Sequence, residues 1–139
     1  MTPPYREISY NAPLSTPIKN QAWMAERDAP WRLVMFPGTP ARKYLFERML
    51  RTAPADIEVV LLARPGYAKG HAQAYLSFDD QVAAAAPFLD GVKKVVALGV
   101  SYGGELALKA LLDHPATVKG AVTVAALVTE PRPWVHPFV

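Results

Sequence analysis

The 139-residue chain carries 15 Lys and Arg against 12 Asp and Glu, a net charge of +3, with 51% hydrophobic and only 19% charged residues. That balance excludes disorder and predicts one packed domain over residues 1–139, while basic residues scattered in runs no longer than Lys93-Lys94 give no reason to expect a nucleic-acid partner. The absence of cysteine excludes disulfides and thiolate metal sites, and three separated histidines do not make a zinc site.

The opening Met1-Thr2-Pro3-Pro4-Tyr5-Arg6-Glu7 lacks the charged and then apolar blocks of a leader peptide, and no apolar stretch approaches the ~18 residues that cross a bilayer. The expectation is a cytoplasmic protein with no membrane partner. Residues 5–10 and 21–27 read as two extended segments around the turn-rich Asn11-Ala12-Pro13-Leu14-Ser15-Thr16-Pro17, an antiparallel start to a sheet. Residues 32–36, 57–62, 95–98 and 121–125 are near-continuous apolar runs, the pattern of parallel strands covered on both faces.

Helical patterns lie between these strands. Residues 41–51 place Tyr44, Leu45 and Met49 on one face against Arg42, Lys43, Glu47, Arg48 and Arg51. Ser77-Phe78-Asp79-Asp80 has capping-box spacing and opens a helix that buries Val82, Ala86 and Leu89, with a kink near Pro87. Residues 102–113 repeat Leu106, Ala107, Ala110 and Leu111 on one face and pair Glu105 with Lys109 on the other.

The most informative stretch joins the 95–98 strand to that last helix through Gly99-Val100-Ser101-Tyr102-Gly103-Gly104. A serine on a sharp strand-to-helix turn is held in a strained conformation, so the residues two before and two after must be small, and both are glycine here. The turn exposes the Ser101 hydroxyl beside the first amides of the helix, which suit a developing oxyanion. A dinucleotide-binding turn fits poorly: Ser101 stands at the middle glycine position, and residues 117–129 offer no acidic partner about 20 positions on.

Strands and helices alternating around such a serine turn resemble the α/β-hydrolase fold family over essentially the whole chain. The likeness rests on the elbow, on Phe36-Pro37-Gly38-Thr39-Pro40, and on Ala63-Arg64-Pro65-Gly66-Tyr67. It implies an α/β fold with a mostly parallel sheet and flanking helices, ending after about the sixth strand. Residues 1–139 would then be a partial domain, the nucleophile-elbow half. The resemblance implies a catalytic Ser101, oxyanion-hole amides at Thr39 and Tyr102, and elbow glycines Gly99 and Gly103. The family's histidine before the loop glycine is Pro37 here, and Pro40 has no N–H to give.

In that family the acid follows a seventh strand and the histidine an eighth, so both segments and the cap fall outside this chain. Within it, His136 is the candidate base and Glu130, just past the sixth strand, the candidate acid. His114, at the far end of the elbow helix and about 15 Å from the serine at 1.5 Å per residue, reads as structural. His71 reads as a pocket or solvated loop residue, Tyr67 as lining the pocket mouth or covering the sheet end, and Asp79 and Asp80 as cap residues. Trp134 and Phe138 either begin a lid or pack on the sixth strand.

The function this implies is a serine hydrolase acting on a small ester, thioester or other acyl substrate through an acyl-enzyme, with no cofactor and no metal. The alternative is a non-catalytic remnant or an interaction module that keeps the fold's first half. An unpaired apolar edge at residues 121–125 also leads us to expect self-association or pairing with a complementing C-terminal half.

Overall fold

The computed structural model describes residues 4–38, 43–65 and 76–126. Its strands are β1 (Arg6–Ala12), β2 (Ile18–Ala25), β3 (Trp31–Phe36), β4 (Ile57–Leu62), β5 (Lys94–Val100) and β6 (Val118–Val124), and they form one sheet in the order β1-β2-β4-β3-β5-β6. β1 and β2 form an antiparallel hairpin and β2 runs antiparallel to β4, whereas β4, β3, β5 and β6 are parallel neighbours. The helices are α1 (Glu47–Arg51), α2 (Phe78–Ala83), α3 (Ala86–Leu89) and α4 (Tyr102–Asp113).

The order explains where a site can form. From β3 the chain moves to β4 on one side; from β5 it moves to β6 on the other. The connections leaving the adjacent ends of β3 and β5 therefore diverge, and open parallel sheets bind ligands in the crevice such a switch point leaves. Phe36 and Gly99 are register partners at that end.

Alternation along the strands builds two cores. Val34, Phe36, Val60, Leu62, Val95 and Ala97 pack on one face against Leu106, Ala107 and Ala110 of α4 and Val82, Phe88 and Leu89 of α2 and α3. On the other face Met35, Val59 and Leu61 meet Phe46 and Leu50. There α1 lies over β2 and β4. Beyond it Leu33, Val96, Leu98 and Val100 are half-buried, and Val122 and Val124 on the outermost strand are 47% and 50% exposed.

Several expectations need correction. The first helix breaks into a 3₁₀ turn (Lys43–Leu45) and the short α1. The tighter turn changes the angular register, so Phe46 and Leu50 face the sheet while Tyr44 and Met49 are exposed. The second helix breaks at Ala84 and Ala85, ahead of Pro87, which sits in the first turn of α3, where its missing N–H costs nothing. β6 starts three residues earlier than its apolar run, because Val118 and Gly120 pair with Val95 and Val96 of β5, with Lys119 bulged between them. Lys109 pairs with Asp79 of α2 and Asp113, both at 3.0 Å, and the expected pair with Glu105 does not form.

A buried ion cluster holds the amino ends of the parallel strands. Glu58, 3% exposed, accepts from Arg32 Nε at 2.6 Å and lies 3.5 Å from Lys93 Nζ. Arg32 also donates to the Phe88 carbonyl, and Lys93 to the carbonyls of Arg27 and Ala29. Removing the anion strands two cations, so Glu58→Ala is expected to cost about 3–5 kcal/mol in urea unfolding, with the Arg32→Met/Glu58→Leu double variant losing much less.

Candidate active site

Ser101 has φ 54° and ψ −126°, one of two non-glycine residues with positive φ among the described residues. An L residue reaches this region at a cost on the order of 1–3 kcal/mol, so its surroundings must over-determine it. They do so through backbone. Ser101 N–H donates to the Val124 carbonyl at 2.8 Å, and Gly104 N–H donates back to the Ser101 carbonyl at 2.8 Å. A Cβ on Gly99 would overlap the Gly103 carbonyl, and one on Gly103 would overlap the Phe36 carbonyl.

Ser101 is exposed, and although it stands at the N-cap of α4 its side chain makes no capping bond. Its backbone departs from the extended conformation in which an N-cap oxygen accepts from the first amides of the helix. The first turn of a helix has N–H groups without intrahelical acceptors. Since Gly104 N–H is taken by Ser101, those of Tyr102 and Gly103 are left beside the serine.

Gly38 closes the other side. A Cβ there would lie 2.6 Å from the Val100 carbonyl oxygen and 3.0 Å from Ser101 Cβ, so the loop after β3 runs directly against the serine. Thr39, the next residue, lies outside the described residues, as do Tyr67, His71, Glu130, Trp134, His136 and Phe138. His114 is placed at the C-terminal end of α4, where Nδ1 lies 2.8 Å from Asp90 Oδ1, a full helix away from Ser101. Ser77 Oγ caps α2 by accepting from Asp80 N–H. Among the described residues no group of His, Asp and Glu is arranged to hold a metal, and no helix is long and apolar enough to cross a membrane.

Two features of the site escaped the sequence reading. Gly104 is sterically required as well: a Cβ there would come within 2.5 Å of Ala126 Cβ, where the chain leaves β6. Glu105, left without Lys109, has Oε1 buried with no hydrogen-bond partner, and desolvation holds its carboxyl above the usual carboxylate range.

A family model described as alpha/beta hydrolase fold matches residues 32–138. No curated protein matches the chain. Among solved structures it is similar to a membrane phospholipase A described as a bacterial virulence factor (22% identity, TM-score 0.75, 92% of this chain and 42% of that one). A probable hydrolytic enzyme from Pseudomonas aeruginosa PAO1 (22%, 0.68, 99% and 46%) and a haloalkane dehalogenase loop variant from Bradyrhizobium elkanii (18%, 0.74, 94% and 43%) are similar too. The chain thus spans less than half the length of each of these structures, and at such identities they speak for the fold alone.

Two predictions follow from the contacts. Gly103→Ala drives a methyl group into the Phe36 carbonyl and is expected to lose more than about 3 kcal/mol, whereas Gly120→Ala, with open space around it, should stay within about 0.5 kcal/mol in urea melts. A carboxyl raised by folding weakens the fold as pH rises through the raised range, because the unfolded state releases its proton more readily. Glu105→Gln should therefore be more stable than the parent at pH 7, and the difference should shrink as pH falls below the ordinary carboxylate range.

Proposed function

This chain belongs to the α/β-hydrolase fold family, and we propose that it is a serine hydrolase acting on small esters, thioesters or related acyl compounds through Ser101. The observation that carries the reading is the Ser101 backbone: φ 54° at the end of β5, with the residue exposed at the first turn of α4 and its Cβ against the Gly38 loop. A structural serine at an N-cap has no reason to adopt that conformation, since the ordinary extended one lets its oxygen cap the helix.

In this mechanism Ser101 Oγ attacks the substrate carbonyl carbon while its proton passes to a histidine base. The carbonyl π electrons move onto oxygen, and the resulting oxyanion accepts hydrogen bonds from the Tyr102 and Thr39 amides. Collapse of the tetrahedral intermediate expels the alcohol or thiol, which takes the proton back from the base, and water then releases the acid by the same route. Within this sequence His136 is the candidate base and Glu130 the candidate acid.

Hydrolysis of a p-nitrophenyl acyl ester tests the reading. Turnover should fall to background in Ser101→Ala. His136→Ala should lose nearly as much, because nucleophile and base act as a unit and the oxyanion hole alone leaves only ~10³ to 10⁴-fold over water. Turnover indifferent to Ser101→Ala refutes the assignment. Turnover that needs Ser101 but not His136 moves the base to another residue, and no Ser101-dependent turnover at all favours a non-catalytic role.

A further inference from the structure

Tyr102 contributes more than an amide. Its side chain is held by three residues from two segments distant from it in sequence, α2 and the exit of β4. Gln81 Nε2 donates to the Tyr102 hydroxyl at 3.0 Å, the Arg64 guanidinium stacks 4.1 Å from the ring centroid, and Phe78 meets the ring edge-on at 5.9 Å. Gln81 is 8% exposed and is the hub: its Oε1 accepts from Arg64 Nε at 3.1 Å, and Nε2 also donates to the Leu76 carbonyl at 3.3 Å. Both amide hydrogens and the carbonyl oxygen of a nearly buried side chain are thus committed to the exit of β4, the start of α2 and the elbow.

A second set of bonds holds the hub's supports. Asn20, 1% exposed, donates to the Ala63 carbonyl, next to Arg64, and to the Tyr10 hydroxyl. Tyr10 in turn donates to the Ala84 carbonyl at the end of α2, and burial pushes its hydroxyl up to about 12. Both anchors of the Tyr102 side chain are themselves fixed to the β1-β2 hairpin.

We propose that Gln81 and Arg64 are positioning residues that clamp the Tyr102 side chain and thereby fix the direction of the Tyr102 N–H beside Ser101, a reading that rests on the hydrolase assignment above. Sheet packing alone would bury Tyr102 as well with an apolar residue at 81. A buried amide with every polar atom engaged sets direction, which matters where a donor must meet an oxyanion and a misplacement of about 1 Å costs roughly 10²-fold.

The test uses Tyr102→Phe, which removes one hydroxyl, and Gln81→Leu, which removes the hub. Hydrogen exchange is followed at Ser101, whose amide is bonded to Val124 at the end of β6, and at Gly104, whose amide is bonded within the turn, with Ala107 and Ala110 in mid-helix as internal references. Exchange at the two elbow amides should rise about tenfold while the mid-helix amides hold. In ester hydrolysis kcat should fall roughly tenfold with KM within about twofold. Unchanged elbow amides in both variants overturn the clamp, and so does equal loss of protection along α4, which is what general destabilisation produces. If Gln81→Leu does not fold, Tyr102→Phe decides alone. Elbow amides that respond as expected in a protein without Ser101-dependent turnover keep the clamp and sink the hydrolase assignment, so the two readings fail separately.

Discussion

Three stretches of backbone meet at the carboxyl end of β5 at distances that leave no room for a Cβ, and the site depends on that contact. Gly99 faces the carbonyl of Gly103, Gly103 faces that of Phe36, and Gly38 faces that of Val100. The close approach presses the first turn of α4 against the ends of β3 and β5, and Ser101 takes up the mismatch by its positive φ. Strain of this kind survives only where neighbours leave no alternative. Here the bond from Ser101 N–H to Val124 and the return bond from Gly104 fix both sides of the residue. A methyl group at Gly99 or Gly103 would force the segments apart and let the serine relax toward an ordinary N-cap.

The two ends of the sheet divide the labour. At the amino ends, Glu58 with Arg32 and Lys93 ties β3, β4 and β5 to the loop before β3 and to α3, with the donors' remaining hydrogens directed to backbone carbonyls. At the carboxyl ends the strands diverge into connections that carry polar groups and strained backbone. Charged hydrogen bonds in a low-dielectric setting resist strand slippage. Since β3 and β5 pair over six registered positions, from Trp31 with Lys94 to Phe36 with Gly99, a fixed amino end sets the positions of Gly38 and Ser101 at the other.

The features legible in the sequence are those whose cause is local. Residues 102–113 form α4 as their periodicity requires, and the glycine spacing around Ser101 marks the turn because its steric need lies within five residues. The continuous apolar runs become the parallel strands; β4 is buried on both faces, whereas Val122 and Val124 of β6 stay exposed. Where tertiary contacts decide, the sequence misleads. Tyr44 and Met49 have helical spacing, yet the sheet selects Phe46 and Leu50 once a 3₁₀ turn shifts the register. Lys109 has Glu105 one turn before it, but Asp79 arrives from α2 and Asp113 lies one turn on. Gln81 meets Arg64 and Tyr102 across 17 and 21 residues, and no local pattern announces such a hub.

Electrostatics at the elbow follow from the same placements. The positive end of the α4 dipole and its unclaimed first amides face the serine, and Arg64 brings a full positive charge against the ring of Tyr102. Glu105 is the one acidic residue in the first turn of α4. An ionised carboxylate there would be welcome to the helix but would oppose any negative charge forming at Ser101. Burial of its Oε1 without a partner holds the carboxyl above its ordinary value. The lost pairing with Lys109 therefore has a consequence beyond one surface contact: with the lysine drawn off to Asp79 and Asp113, nothing offsets the cost of burying Glu105 Oε1.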